Sequence, residues 1–121
     1  MSTITQRWGA LSGVFGFTGV VLGAFATHAL SGKLSPHSLE IFHTATHYQL
    51  IHAVALIAVI RNQGKWTHRT CCFWSLGILI FSGSLYALAL TDIKILGAIT
   101  PIGGVFFLLG WISVAIGALR E

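Results

Sequence analysis

Residues 42–53 read Phe42-His43-Thr44-Ala45-Thr46-His47-Tyr48-Gln49-Leu50-Ile51-His52-Ala53, and they open an apolar segment that runs on to Ile60. Three histidines, a tyrosine and a glutamine in so apolar a context need a physical reason. At about 100° per residue on a helix, His43 and His47 stack on one face as an i, i+4 pair. Tyr48, Gln49 and His52 gather on roughly the opposite face, with Ala45 among them. The three histidines therefore cannot all hold one metal ion from a single regular helix. Gln49 and His52 lie deepest, where contact with lipid costs most, so the interior face is expected to carry them. His43 and His47, nearer the start, are left to headgroups or another subunit.

The bilayer enters through composition. Of 121 residues, 55% are hydrophobic and 8% charged, with a mean hydropathy of +0.82. A soluble domain would carry about 25% charged residues. Too little charge is left to cover a water-facing surface, so the chain reads as one integral membrane domain spanning residues 1–121. Four apolar segments, at about 8–30, 41–60, 71–90 and 95–119, each come near the roughly 20 residues that cross a bilayer. The links are short: SGKLSPHSLE, RNQGKWTHRT and TDIK. Short links force antiparallel neighbours, so the expected fold is all-α, an up-down bundle of four transmembrane helices. In the first link, Ser35-Pro36 and Ser38 suggest a capped turn and a short surface helix from Ser35 onward.

Loop charge gives an orientation. Arg7, Arg61, Lys65, Arg69 and Arg120 fall on the side of the two termini, and Lys33 and Lys94 on the other. Five against two predicts both termini in the cytoplasm. Trp8, Trp66 and Trp111 lie towards that side as interface anchors, with Trp74 one turn deeper. The net charge of +4 is topology information; no basic stripe points to nucleic acid. The adjacent Cys71 and Cys72 lack metal or redox spacing and are expected to be reduced. Only Arg7 precedes the first apolar run, which is too long for a signal-peptide core, so an uncleaved first helix is expected.

Small residues mark packing faces. Ser12, Gly16, Gly19, Gly23 and Thr27 form a stripe on the first segment, and Gly103, Gly110 and Gly117, with Gly104 beside them, repeat the device on the fourth. In lipid, small residues let helix backbones approach closely. On the third segment Ser75, Ser82, Tyr86 and Ala89 share a face. Serine hydroxyls there are expected to bond their own helix, and the tyrosine to pair across the bundle.

Polar or irregular elements from all four segments converge on the half opposite the termini. His28 ends the first segment, Tyr48, Gln49 and His52 lie on the second, Tyr86 and Asp92 on the third, and Thr100-Pro101 opens the fourth. These are the candidate residues of a polar cluster or ligand site, with His28 and His52 the only metal-ligand candidates. Imidazoles suit zinc, copper or haem iron, but no Glu-x-x-His, no C-x-x-C-H and no P-loop lysine accompanies them. Ser82 and Ser84 sit in a helix without a nucleophile elbow.

GAFATHAL, YQLIHA, FSGSLYALAL and TPIGGVFFLLGW follow one another in this order. On those motifs the chain resembles the YgdD-like family of small four-helix bacterial inner-membrane proteins, a domain of unknown function, from about Leu11 to Gly117. The family pattern reads G-A-F-G-A-H-x-L; here Ala26 and Thr27 replace Gly and Ala, and His28 is kept. The matching positions are Gly23, Ala24, Phe25, His28, Tyr48, Gln49, His52, Ser82, Gly83, Ser84, Tyr86, Thr100, Pro101, Gly103, Gly104 and Trp111. His43 and His47 fall outside the motifs. The resemblance implies a bacterial inner-membrane location and supplies no mechanism.

The leading expectation is a non-enzymatic, multi-pass structural, accessory or partner-binding bundle without a cofactor, associating with lipid and with a second copy or a membrane-protein partner. The alternative is binding or transport of a metal ion, haem, quinone or lipid at the His/Tyr/Gln cluster. A membrane enzyme acting on lipid is the third reading; it requires a hydroxyl nucleophile beside His52.

Overall fold

A computed structural model of the chain describes residues 2–62 and 64–120. Four helices account for almost all of them: α1 (Thr3–Leu30), α2 (Pro36–Val59), α3 (Lys65–Thr91) and α4 (Leu96–Arg120). Two π-helical segments interrupt the α geometry, Ala26–Leu30 at the end of α1 and Ile78–Ser82 within α3. By length and composition α1, α3 and α4 qualify as membrane spans. α2 has the length, at 24 residues, but His43, His47, Gln49 and His52 dilute its hydropathy. Of the four apolar segments expected to cross a bilayer, three qualify.

The first two helices begin before their apolar segments because polar caps sit upstream. Ser2 Oγ accepts from Thr5 N at 3.1 Å, and Ser35 Oγ accepts from Ser38 N at 3.1 Å. With Pro36 in the first helical turn, α2 is nucleated there and runs without a break. The separate surface helix expected from Ser35 does not form; those residues are the first turns of α2. Gly32, at φ 85°, turns the chain between α1 and α2, and Asp92, at φ 56°, ends α3 in the left-handed conformation.

Consecutive helices are antiparallel, as their registers show. Ser12 meets Ala53 and Gly23 meets Thr46 between α1 and α2. Ser82 meets Ala45 between α2 and α3, and Ser84 meets Thr100 between α3 and α4. The core joins Phe15 of α1, Ala53 and Leu56 of α2, Cys71, Trp74 and Ile78 of α3 and Phe107 of α4. Cys71 is buried and Cys72 half-buried, both as free thiols.

The glycines of α4 leave room for α3, which packs its backbone at Gly103 and its tryptophans at Gly110 and Gly117. A Cβ on Gly103 would collide with the backbone nitrogen of Phe81, inside the π segment, and one on Gly110 with the Trp74 indole. On Gly117 it would come to 3.0 Å from Trp66 Cβ. In α1, a Cβ on Gly19 would come to 2.6 Å from Leu50 and one on Gly23 to 3.1 Å from Thr46. Gly104 has ordinary clearance, 3.9 Å to Phe81, and Gly16 faces open space, so it does not serve α1 packing within one chain. Outside this core all four helices present apolar side chains, among them Phe17, Val54, Leu79 and Leu108. At most 39% of any candidate span is buried, leaving a surface that suits hydrocarbon and not water.

Candidate functional site: a closed polar network between the helices

Gln49 is the hub. Its side chain is 4% exposed, and both amide protons and the amide oxygen are used. Nε2 donates to the Phe15 carbonyl oxygen at 2.9 Å and to Thr18 Oγ1 at 2.8 Å. Oε1 accepts from the Tyr86 hydroxyl at 2.7 Å. Tyr86 also reaches Thr46 Oγ1 at 3.3 Å, and its ring lies 4.8 Å from that of Phe42. One side chain of α2 thus ties α1 to α3. Thr18 can accept because its own hydroxyl proton goes back to Val14 O at 2.8 Å.

His52 lies one turn further along the same face, 3% exposed. The Trp111 indole N–H of α4 donates to its Nε2 at 3.1 Å. An indole nitrogen only donates, so Nε2 must be the unprotonated ring atom. The ring proton is therefore on Nδ1, which donates to the Tyr48 carbonyl oxygen at 2.8 Å. The ring stacks on Phe107 with centroids 3.8 Å apart and meets Trp74 edge-on at 5.6 Å. Trp74 in turn donates to the Phe107 carbonyl oxygen at 3.3 Å. Both imidazole nitrogens are satisfied in the neutral form, and a metal ion at Nε2 would have to displace the indole.

The candidate residues do not form one cluster. Gln49 and Tyr86 share a network; His52 sits in an aromatic box with Tyr48, whose ring is 6.4 Å away and 40% exposed. Thr100 belongs to a third group: its hydroxyl lies 2.6 Å from that of Ser84 and 3.3 Å from Leu96 O. His28 is exposed in the π segment that ends α1. Asp92 is exposed beyond the end of α3 and pairs with Lys94 at 2.8 Å. The hydrogen bond and charge of that ammonium hold its carboxyl below the usual range. No group of three or more His, Cys, Asp or Glu is placed to hold a metal ion among the described residues. His43 and His47 are exposed, on the side of α2 away from Gln49.

Three features exceed what spacing conveys. Ser82 does not bond its own helix but donates across to Ala45 O at 2.7 Å, and Ser12 likewise to Ala53 O at 3.1 Å. Trp111, read as an interface anchor, is the partner of His52. Thr18 carried no signal beyond a polar residue in an apolar helix. Ser75 Oγ is buried without a hydrogen-bond partner among the described residues.

Residues 22–104 match the family described as a protein of unknown function, DUF423. The chain belongs to the DUF423 family. It is 43% identical over 119 residues to a UPF0382 membrane protein of Haemophilus influenzae, covering 96% of each chain. Against the UPF0382 membrane protein YwdK of Bacillus subtilis it is 42% identical over 106 residues, 84% of this chain and 86% of the relative. Against the UPF0382 inner membrane protein YgdD of Escherichia coli it is 38% identical over 111 residues, 88% and 85% respectively. No solved structure matches it. The resemblance to the YgdD-like family is thus a membership, and the chain is a helical membrane protein of a family without an assigned activity.

Proposed function

We propose that this DUF423 protein is a non-catalytic, four-span inner-membrane bundle that acts as a structural or accessory partner for lipid, a second copy or another membrane protein. One observation carries the reading: the buried polar side chains of Gln49 and His52 are consumed by the bundle itself, at both polar atoms of the amide and both ring nitrogens. A ligand site keeps unpaired polar atoms facing a cavity; these two residues keep none. They fix the register of α2 against α1, α3 and α4 instead.

α2 is the fourth span in this reading. Its 24 residues reach about 36 Å, beyond the roughly 30 Å hydrocarbon core. It runs antiparallel to two helices that qualify as spans, and its most polar side chains turn inward. The inner-membrane assignment follows the name of the Escherichia coli relative, and five basic residues against two favour both termini in the cytoplasm.

The test is the protein purified in mild detergent without added metal, as wild type and His52→Ala, with metal content and visible absorption measured. A colourless, metal-free wild type is expected. Stoichiometric metal or a Soret band that disappears in His52→Ala overturns the structural reading. Fluorescent-protein and alkaline-phosphatase fusions at each terminus test the topology separately: phosphatase activity at either terminus refutes it.

A further inference from the structure

We propose that the end of the bundle bearing the termini holds an anionic phospholipid in a cleft between α2, α3 and α4. The cleft encloses about 620 Å³ and is walled by Val59 of α2, Trp66 and Thr70 of α3, and Ser113, Val114 and Ala118 of α4. A second cavity of about 330 Å³ adjoins it, sharing Asn62, Gly64 and Thr67 and adding Lys65 and His68. The shared rim is polar and the wall below it is apolar in effect. Thr70 donates to Trp66 O and Ser113 to Leu109 O, each at 2.9 Å, so neither hydroxyl demands a polar partner from an occupant.

Charge identifies the occupant. Lys65 lines the adjoining cavity, Arg61 precedes Asn62, and the Arg69 guanidinium is held 4.5 Å over the Trp66 ring by a cation–π contact. Of the three acidic residues in the sequence, Glu40 and Asp92 lie on α2's first turns and beyond α3, at the opposite end, and Glu121 follows Arg120 outside the described residues, so basic residues outnumber acidic ones at this end. A polar, cationic rim above an apolar groove fits a phosphodiester headgroup with an acyl chain along Val59, Val114 and Ala118. The inference rests on the membrane-bundle reading above, but does not require its topology: the cleft lies at one end of the bundle whichever way that end faces.

The experiment uses the full chain in mild detergent, titrated with phosphatidylglycerol, with phosphatidylethanolamine of the same acyl chains, and with inorganic phosphate. Thermal unfolding is followed. Phosphatidylglycerol should raise the unfolding temperature saturably, while phosphatidylethanolamine and inorganic phosphate should not. The Lys65→Gln/Arg69→Gln variant should raise the half-saturating phosphatidylglycerol concentration roughly 30-fold. Ala118→Trp, which fills the groove from an exposed position, should abolish the shift with the fold intact. An equal response to phosphatidylethanolamine overturns the charge assignment, and a response to inorganic phosphate alone makes this a free-anion site. A phosphatidylglycerol shift unchanged in both variants puts the lipid elsewhere and refutes the cleft. A metal-loaded wild type or a refuted topology leaves these outcomes readable, so the two proposals fail separately.

Discussion

Replacing Gln49 by Leu keeps most of the side-chain volume and deletes every polar contact of the hub. Three hydrogen bonds go, at 2.9, 2.8 and 2.7 Å. Interhelical side-chain bonds in membrane proteins average about 0.6 kcal/mol each, so the direct loss is about 2 kcal/mol. The partners soften it unequally. Phe15 O is a helix carbonyl, and Thr18 keeps its bond to Val14 O, so neither is stranded. The Tyr86 hydroxyl keeps only its 3.3 Å contact to Thr46 and takes most of the damage. The assay is reversible unfolding in mixed micelles for wild type, Gln49→Leu, Tyr86→Phe and the double variant. The single Gln49 change should cost about 2 kcal/mol, and the cycle should return a coupling of roughly 0.6–1.7 kcal/mol between the two residues. His47→Ala, on the exposed side of α2, is the control and should stay within about 0.5 kcal/mol. A Gln49→Leu protein as stable as wild type, or a coupling indistinguishable from zero, would refute the register role of this network.

Gly103→Ala should destabilise by about 1–3 kcal/mol because its Cβ meets the Phe81 backbone, whereas Gly16→Ala, in open space, should gain about 0.5–1 kcal/mol; equal effects in thermal unfolding would contradict the helix contacts. Nitrogen NMR of labelled histidine should find His52 neutral with its proton on Nδ1, and Trp111→Phe should change that signal; a proton on Nε2 would contradict the indole bond. Asp92, depressed by Lys94, contributes stability above the ordinary carboxylate range and loses it as pH falls through its folded value. The pair is exposed, at 79% and 70%, so Asp92→Asn should flatten only a shallow acid limb of the stability curve, and added salt should erase the difference; a steep, salt-insensitive acid limb would count against it.

The division between what could be read early and what could not follows the range of the forces involved. Hydrophobic runs, short links and caps are local, so the sequence by itself determined four helices, their antiparallel order and a membrane setting. Helical periodicity also placed Gln49 and His52 on the inner face and His43 and His47 on the outer one, as the burial of α2 bears out. Periodicity gives an azimuth, not a partner. Which helix receives that face depends on rotations and translations set by all the contacts together, so Thr18 and Trp111 emerged only from the packed structure. The π segments add to this: an extra residue in the turn at Ile78–Ser82 shifts the faces on either side of it. It brings the Phe81 backbone against Gly103, while Ser82 donates to Ala45 O. A common level in the bilayer is likewise not proximity. His28 and Asp92 share an end of the bundle with no shared contact, because each sits where its helix stops and its side chain can leave the core.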